Sequence, residues 1–226
     1  MDCVTMAGLV GVTSVSTTMG VFGIMISDKI QKVTKDFYSS PIKKQKIAGG
    51  YILSAFLVGT LMSLIALLIA QIYIVANGGS ILSWVLMLKV LGLILLAVFL
   101  NTAIVLFIAS FFKSINAFST ASTVVGTLIG FLTGIYLPIG MLPDAVQWII
   151  KLFPVSHAAA LIRQVMVTDL LKDIPTEIAD GFSEYMGVTF KFGSHVLTAN
   201  ESILILTAAA ALFYGLPIYN VSRKQK

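Results

Sequence analysis

Charge is what this sequence has least of. Only 11% of its 226 residues are charged while 58% are hydrophobic, and the mean hydropathy is +0.97. A disordered chain needs the reverse balance, and a soluble domain of this size needs far more surface charge. Cysteine is nearly missing too: Cys3 stands alone, which excludes a disulfide framework. The two histidines, His157 and His195, are far apart and lack acidic companions at metal-ligand spacing. They read as interfacial or exposed polar residues. There is no G-x-x-x-x-G-K-[ST] loop, no H-E-x-x-H and no G-x-S-x-G elbow, so nucleotide, metalloprotease and acyl-transfer signatures are all absent. What remains is an all-α, polytopic integral membrane protein, read as one membrane domain over residues 1–226.

A helix needs about 20 apolar residues to cross ~30 Å of hydrocarbon. Five stretches qualify, at about 4–26, 47–76, 84–112, 117–137 and 203–221. Transmembrane strands would show strict alternation over about ten residues, which is not seen. The first stretch has no basic residue before it and Asp2 as its only early charge, so it reads as a retained helix rather than a signal peptide.

Basic residues are unequally shared between the two sides. Loop 27–46 holds six lysines, residue 113 adds one and the C-terminal tail adds Arg223, Lys224 and Lys226. Segment 138–202 holds four. The excess places loop 27–46 and the C-terminus in the cytoplasm. The net charge of +5 is thus a topology signal with anionic lipid headgroups as neighbours, and nucleic acid is not needed to explain it. Five spans with a cytoplasmic C-terminus put Met1 outside.

Loop 27–46 reads as two short helices broken at Ser39–Pro41. Ser40 suits an N-cap and Pro41 an N1 position. Lys29, Lys32 and Lys35 share one face, and Ile30, Val33 and Phe37 form an apolar stripe. A basic loop lying on lipid and a docking element for a cytoplasmic partner both fit these features. Residues 138–167 hold two apolar stretches too short to span, interrupted by Pro143 and Pro154, as expected of a re-entrant or interfacial hairpin. Pro143 and Asp144 suit a helix start, Ser156 an N-cap, and Trp148 the headgroup level. Lys151 and Arg163 are long enough to snorkel. The rest, to residue 202, reads as a small acidic exterior cap.

Gly126, Gly130 and Gly134, four apart in the fourth stretch, read as a close-packing ridge, either within the bundle or at an oligomer seam. The hydroxyl run Thr13–Thr18 either bonds back to helix carbonyls or lines a polar route. Gln71 and Asn101 need interhelical partners. No span carries an acid and only Lys89, near an end, is basic. A proton- or sodium-coupled pump usually needs intramembrane carboxylates, so the energy source is expected outside this chain.

Three stretches resemble the membrane subunits of type-2 ABC exporters, the ABC-2 permease family. They are Asp28 through Ser40-Pro41-Ile42-Lys43-Lys44 with Gly50-Tyr51, then Gly134-Ile135-Tyr136-Leu137-Pro138 with Leu142-Pro143, then Phe153-Pro154-Val155-Ser156-His157 with Arg163. The resemblance covers nearly the whole chain. It implies a coupling region around residues 28–41, with Asp28, Lys35, Phe37, Ser40 and Pro41 facing an ABC ATPase subunit. It also implies an exterior hairpin carrying Pro143, Pro154, Ser156 and Arg163. Two permeases, alike or different, would pair in the plasma membrane, and ATP would be bound by the partner subunit, with no cofactor in this chain. Family members usually have six spans with an amphipathic helix before the first, and this sequence begins just before the second. Val33-Thr34 stands where the coupling region often has an acid and Gly-Thr. Export of a hydrophobic or amphipathic substrate is the expected function. A non-transporting membrane interaction or immunity protein, or a truncated permease fragment, is the alternative.

Overall fold

The computed structural model describes residues 2–31, 44–172, 174–193 and 195–223, with side chains described for 2–31, 46–172, 174–193 and 195–215. Four long helices come first: α1 (Asp2–Ile30), α2 (Lys44–Ala76), α3 (Trp84–Ala109) and α4 (Ile115–Leu132). All four are long and apolar enough to cross a membrane. A 3₁₀ turn (Ile139–Met141) leads into a bent pair, α5 (Asp144–Leu152) and α6 (Pro154–Leu171). After these come α7 (Thr176–Tyr185), a short antiparallel hairpin of β1 (Lys191–Phe192) and β2 (His195–Val196), and α8 (Ala199–Arg223). The apolar part of α8 with described side chains is Ala199–Gly215.

The chain is an all-α polytopic membrane protein, and its packing explains the shape. α1 packs against α2, α3, α4 and α6, so it is the central rod. α6 lies against α1, α3 and α8 with Val155, Ala158, Ala159, Leu161, Ile162 and Met166 buried. Small residues allow that approach: a Cβ on Gly11 would meet the Ala159 Cβ at 3.6 Å. Gly59 does the same where α1, α2 and α3 cross, since a Cβ there would come within 2.9 Å of Val98 Cγ1. α2 and α3 are apolar on all faces, as suits helices with protein on one side and lipid on the other.

The fourth helix ends at Leu132 rather than Leu137, because Thr133 is its C-cap and Gly134 turns left-handed at φ +62°. Gly134 therefore lies beyond the helix, off any ridge with Gly126 and Gly130. The hairpin bends by 87° between α5 and α6. Its cause is Pro154, which occupies N1 of α6 and forces Phe153 into an extended conformation. Phe153, not Ser156, is thus the N-cap position. Pro143 and Asp144 do begin α5.

Candidate functional site

Of the spanning helices α4 is the least covered, with 17% of its most apolar window buried against 44% in α1 and 50% in α3. Between α1 and α4 runs an open groove of about 360 Å³. Ser16, Gly20 and Gly23 line it from α1, and Ser119, Ser122 and Gly126 from α4, over a floor of Val15, Met19, Phe118 and Val125. Among the described residues, none lies within 4 Å of where a Cβ on Gly20 or Gly126 would sit, beyond its own helix backbone and chain neighbours. The groove wall is thus small, hydroxyl-bearing and apolar at depth. Ser122 Oγ has no hydrogen-bond partner among the described residues. The outer face of α4 continues the pattern with Thr120, Thr123 and Thr127. Each hydroxyl donates to the carbonyl four residues earlier, so these side chains can face lipid or a neighbouring helix at little cost.

Behind the groove sits a polar lock. Thr13, Ser14, Thr17 and Thr18 all donate to carbonyls one turn back, and Asn101 Nδ2 donates to Ser14 Oγ at 2.6 Å. Ser14 and Asn101 are each 1% exposed. This is interhelical glue between α1 and α3. Gln71 Oε1 accepts from the backbone N–H of Leu82, closing the turn between α2 and α3.

The hairpin end is organised by Arg163. Its side chain does not snorkel: it is 1% exposed and among the described residues makes no ion pair. Instead the guanidinium forks into three separate segments. Nε donates to Val4 O at 3.2 Å on α1. Nη2 donates to Thr133 O at the end of α4. Nη1 donates to Met186 O and Gly187 O, at 3.3 and 3.4 Å, at the end of α7. Thr133 and Met186 are helix C-caps. The cation therefore satisfies carbonyls that the helices leave unpaired, at the negative ends of two dipoles. Glycines make the room. A Cβ on Gly8, Gly134 or Gly187 would stand 3.0–3.4 Å from a guanidinium nitrogen, and Gly187, like Gly134, is left-handed at φ +68°.

His157 is buried as well, not interfacial. It is 1% exposed, its Nε2 lies 2.8 Å from Lys151 O, and its ring meets Phe190 edge-on. It ties α5 to the base of α6. Ser156 is 1% exposed beside it and its Oγ has no partner among the described residues. Trp148 is half exposed, with Lys151 Nζ 5.7 Å from its ring centroid. Gly130 lies under Tyr136, whose ring a Cβ would overlap. His195 pairs with Glu201 at 3.0 Å, and Glu201 closes a capping box with Thr198 at the start of α8. The T-x-x-E spacing at 198–201 is a readable signal for that box. Among the described residues, no three of His, Cys, Asp and Glu could hold a metal ion.

At the other end of α1, Asp28 Oδ2 accepts a hydrogen bond from Tyr51 Oη at 2.6 Å. Lys35, Phe37, Ser40 and Pro41 lie outside the described residues.

No curated protein and no solved structure matches this chain. A family model described as ABC-2 type transporter matches residues 2–167, from the start of α1 to near the end of α6, and so takes in the groove, the lock and Arg163. That match covers well over half of the sequence, and the chain belongs to the ABC-2 type transporter family.

Proposed function

We propose that this chain is the permease subunit of an ATP-driven exporter. It moves a hydrophobic or amphipathic molecule outward, drug-like, peptide or lipid-linked, while a separate ABC ATPase binds and hydrolyses ATP in the cytoplasm. Family membership makes it a membrane transport component. The observation that carries the finer reading is the groove between α1 and α4. It is about 360 Å³, open to the side and walled by glycines and hydroxyls over an apolar floor. Such a surface suits a ligand with both apolar and polar parts. Because α4 is so thinly covered, a second permease, identical or not, facing this groove would turn it into an enclosed route. Loop 27–46, cytoplasmic by its lysines, would carry the ATPase contact through Asp28, Lys35, Phe37, Ser40 and Pro41.

Co-purification tests the reading. The tagged chain, gently solubilised from its native membrane, brings down an ATPase subunit with a phosphate-binding loop, and Phe37→Asp loses it while still inserting. Gly20→Trp, which fills the groove, keeps the ATPase but abolishes efflux of an amphipathic dye. Recovery of the chain alone, with the ATPase shown to be expressed, sinks the exporter reading.

A further inference from the structure

Resting on that reading, we infer that Tyr51 is a positioning residue of the coupling machinery. Its hydroxyl fastens the loop end of α1 to α2 through Asp28, so that a push on the loop moves both helices together.

Asp28 stands in the last turn of α1, where the negative end of the helix dipole disfavours a carboxylate. It is also half-buried, so it needs a donor. Tyr51 supplies one across the mouth of the loop, 23 residues away in sequence, at 2.6 Å. That length is typical of a charge-assisted O–H···O⁻ bond.

The surroundings make this bond matter. Among the described side chains, the last fully buried residue of α1 is Ile26 and the first of α2 is Ala55. Between them, Lys46, Ala48, Gly49 and Gly50 are exposed, and a Cβ on either glycine would meet nothing within 4 Å among the described residues. Two adjacent glycines in a helix weaken it by roughly 1 kcal/mol each relative to alanine. The first turns of α2 are thus soft by sequence and poorly packed. Tyr51 follows them directly and gives them a fixed point on α1. Without it, displacement of segment 31–43 would be absorbed by bending at Gly49–Gly50 rather than passed along α1. The residue acts through Asp28 and the helix pair and touches neither substrate nor nucleotide.

The test needs no knowledge of the cargo. The chain is prepared in complex with its ATPase subunit, with Cys3→Ser and with Met141→Cys carrying an environment-sensitive fluorophore. Met141 is 61% exposed at the hairpin end. The probe is ATP with vanadate, and the readouts are ATPase affinity, hydrolysis rate and the fluorophore response. In Tyr51→Phe, affinity and hydrolysis stay near the unmodified complex while the response falls by about tenfold or more, the scale of one lost charge-assisted hydrogen bond. Asp28→Ala, at a residue assigned to the ATPase contact, loses the response at least as fully whatever its ATPase affinity, and adding Tyr51→Phe to it makes the loss no worse. Asp28→Asn, which keeps an acceptor oxygen without the charge, retains part of the response. A full response in Tyr51→Phe overturns the inference and leaves the exporter reading intact. So does loss of ATPase binding in Tyr51→Phe, which would make Tyr51 a docking contact. A parent chain that binds no ATPase overturns the exporter reading and this inference with it.

Discussion

Arg163→Ala should loosen the hairpin end of the protein more than any other single truncation there. Four hydrogen bonds go from this guanidinium to carbonyls on α1, α4 and α7, and hydrogen bonds to charged groups are worth ~1.5–3 kcal/mol each. They share one group and one burial cost, so they do not add. A loss of about 4 kcal/mol is the reasonable expectation, because several carbonyls are left without donors in a site closed to water. Arg163→Lys tests the geometry separately. Lysine keeps the charge, but its three donors sit at one point and cannot reach three segments, so about 2 kcal/mol should still go. Cys3 is the natural reporter, being the protein's one cysteine and adjacent to Val4, whose carbonyl Arg163 holds. It is half-buried against α6 and the turn after α2. If the opening free energy of the α1 terminus falls by ~2 kcal/mol, thiol labelling there should speed up about 30-fold. Labelling rates in mild detergent, with midpoints from a denaturing-detergent titration, give both numbers. An alanine variant with unchanged labelling and midpoint would refute the clasp. A lysine variant indistinguishable from the parent would show that charge, not the fork, is what counts.

Two further outcomes follow from the polar groups. Ser14→Ala leaves the Asn101 amide without its partner and should cost ~1–2 kcal/mol, whereas Asn101→Leu removes the buried amide altogether and should cost less than about 1 kcal/mol, both read from the same titration. The Glu201 carboxyl is held below its usual range first by the Thr198 backbone N–H, then by the Thr198 hydroxyl, then by His195. A lowered carboxyl stabilises the fold above the ordinary value of about 4.3 and loses that contribution as pH falls through its folded value. Amide exchange at 198–202, followed from about pH 6 to about pH 3, should therefore accelerate beyond its intrinsic pH dependence, and Glu201→Gln should abolish the excess. An excess that survives in Glu201→Gln would place the effect elsewhere.

The long helices were readable because hydropathy over about 20 residues is a physical requirement of the bilayer, independent of what the helix packs against. The bent hairpin was readable for a similar local reason, since Pro143 and Pro154 dictate their own backbone. The hydroxyls at Thr13–Thr18 and the amide of Asn101 were readable as helix-bound or interhelical groups, because hydrocarbon offers them no alternative. Arg163 was not. A lone arginine near the end of an apolar stretch looks like a snorkelling residue, and its real partners are backbone carbonyls at positions 4, 133, 186 and 187, which no side-chain pattern announces. The faint trace of them is three isolated glycines, Gly8, Gly134 and Gly187, whose spacing has meaning only once the chain has folded. His157 is hidden for the same reason: its partner is the Lys151 carbonyl, invisible in a string of side chains. By spacing Gly134 falls on a helical ridge, because periodicity alone cannot say that the helix stops at Leu132.

These contacts meet on one element. α1 is 29 residues long, so about 36 Å separates Val4 from Asp28 at 1.5 Å per residue. Its two ends are each pinned by a polar contact from elsewhere in the chain, Val4 by Arg163 and Asp28 by Tyr51. Its middle is locked to α3 through Ser14 and Asn101 and presents Ser16, Gly20 and Gly23 to the groove. A helix held in this way resists bending and shifts as a rod. On the proposed reading, a displacement at Asp28 would arrive at the groove wall and at the Arg163 clasp together. Loop docking and groove opening would then be one motion of one helix, and breaking either end contact should uncouple them without unfolding the bundle between.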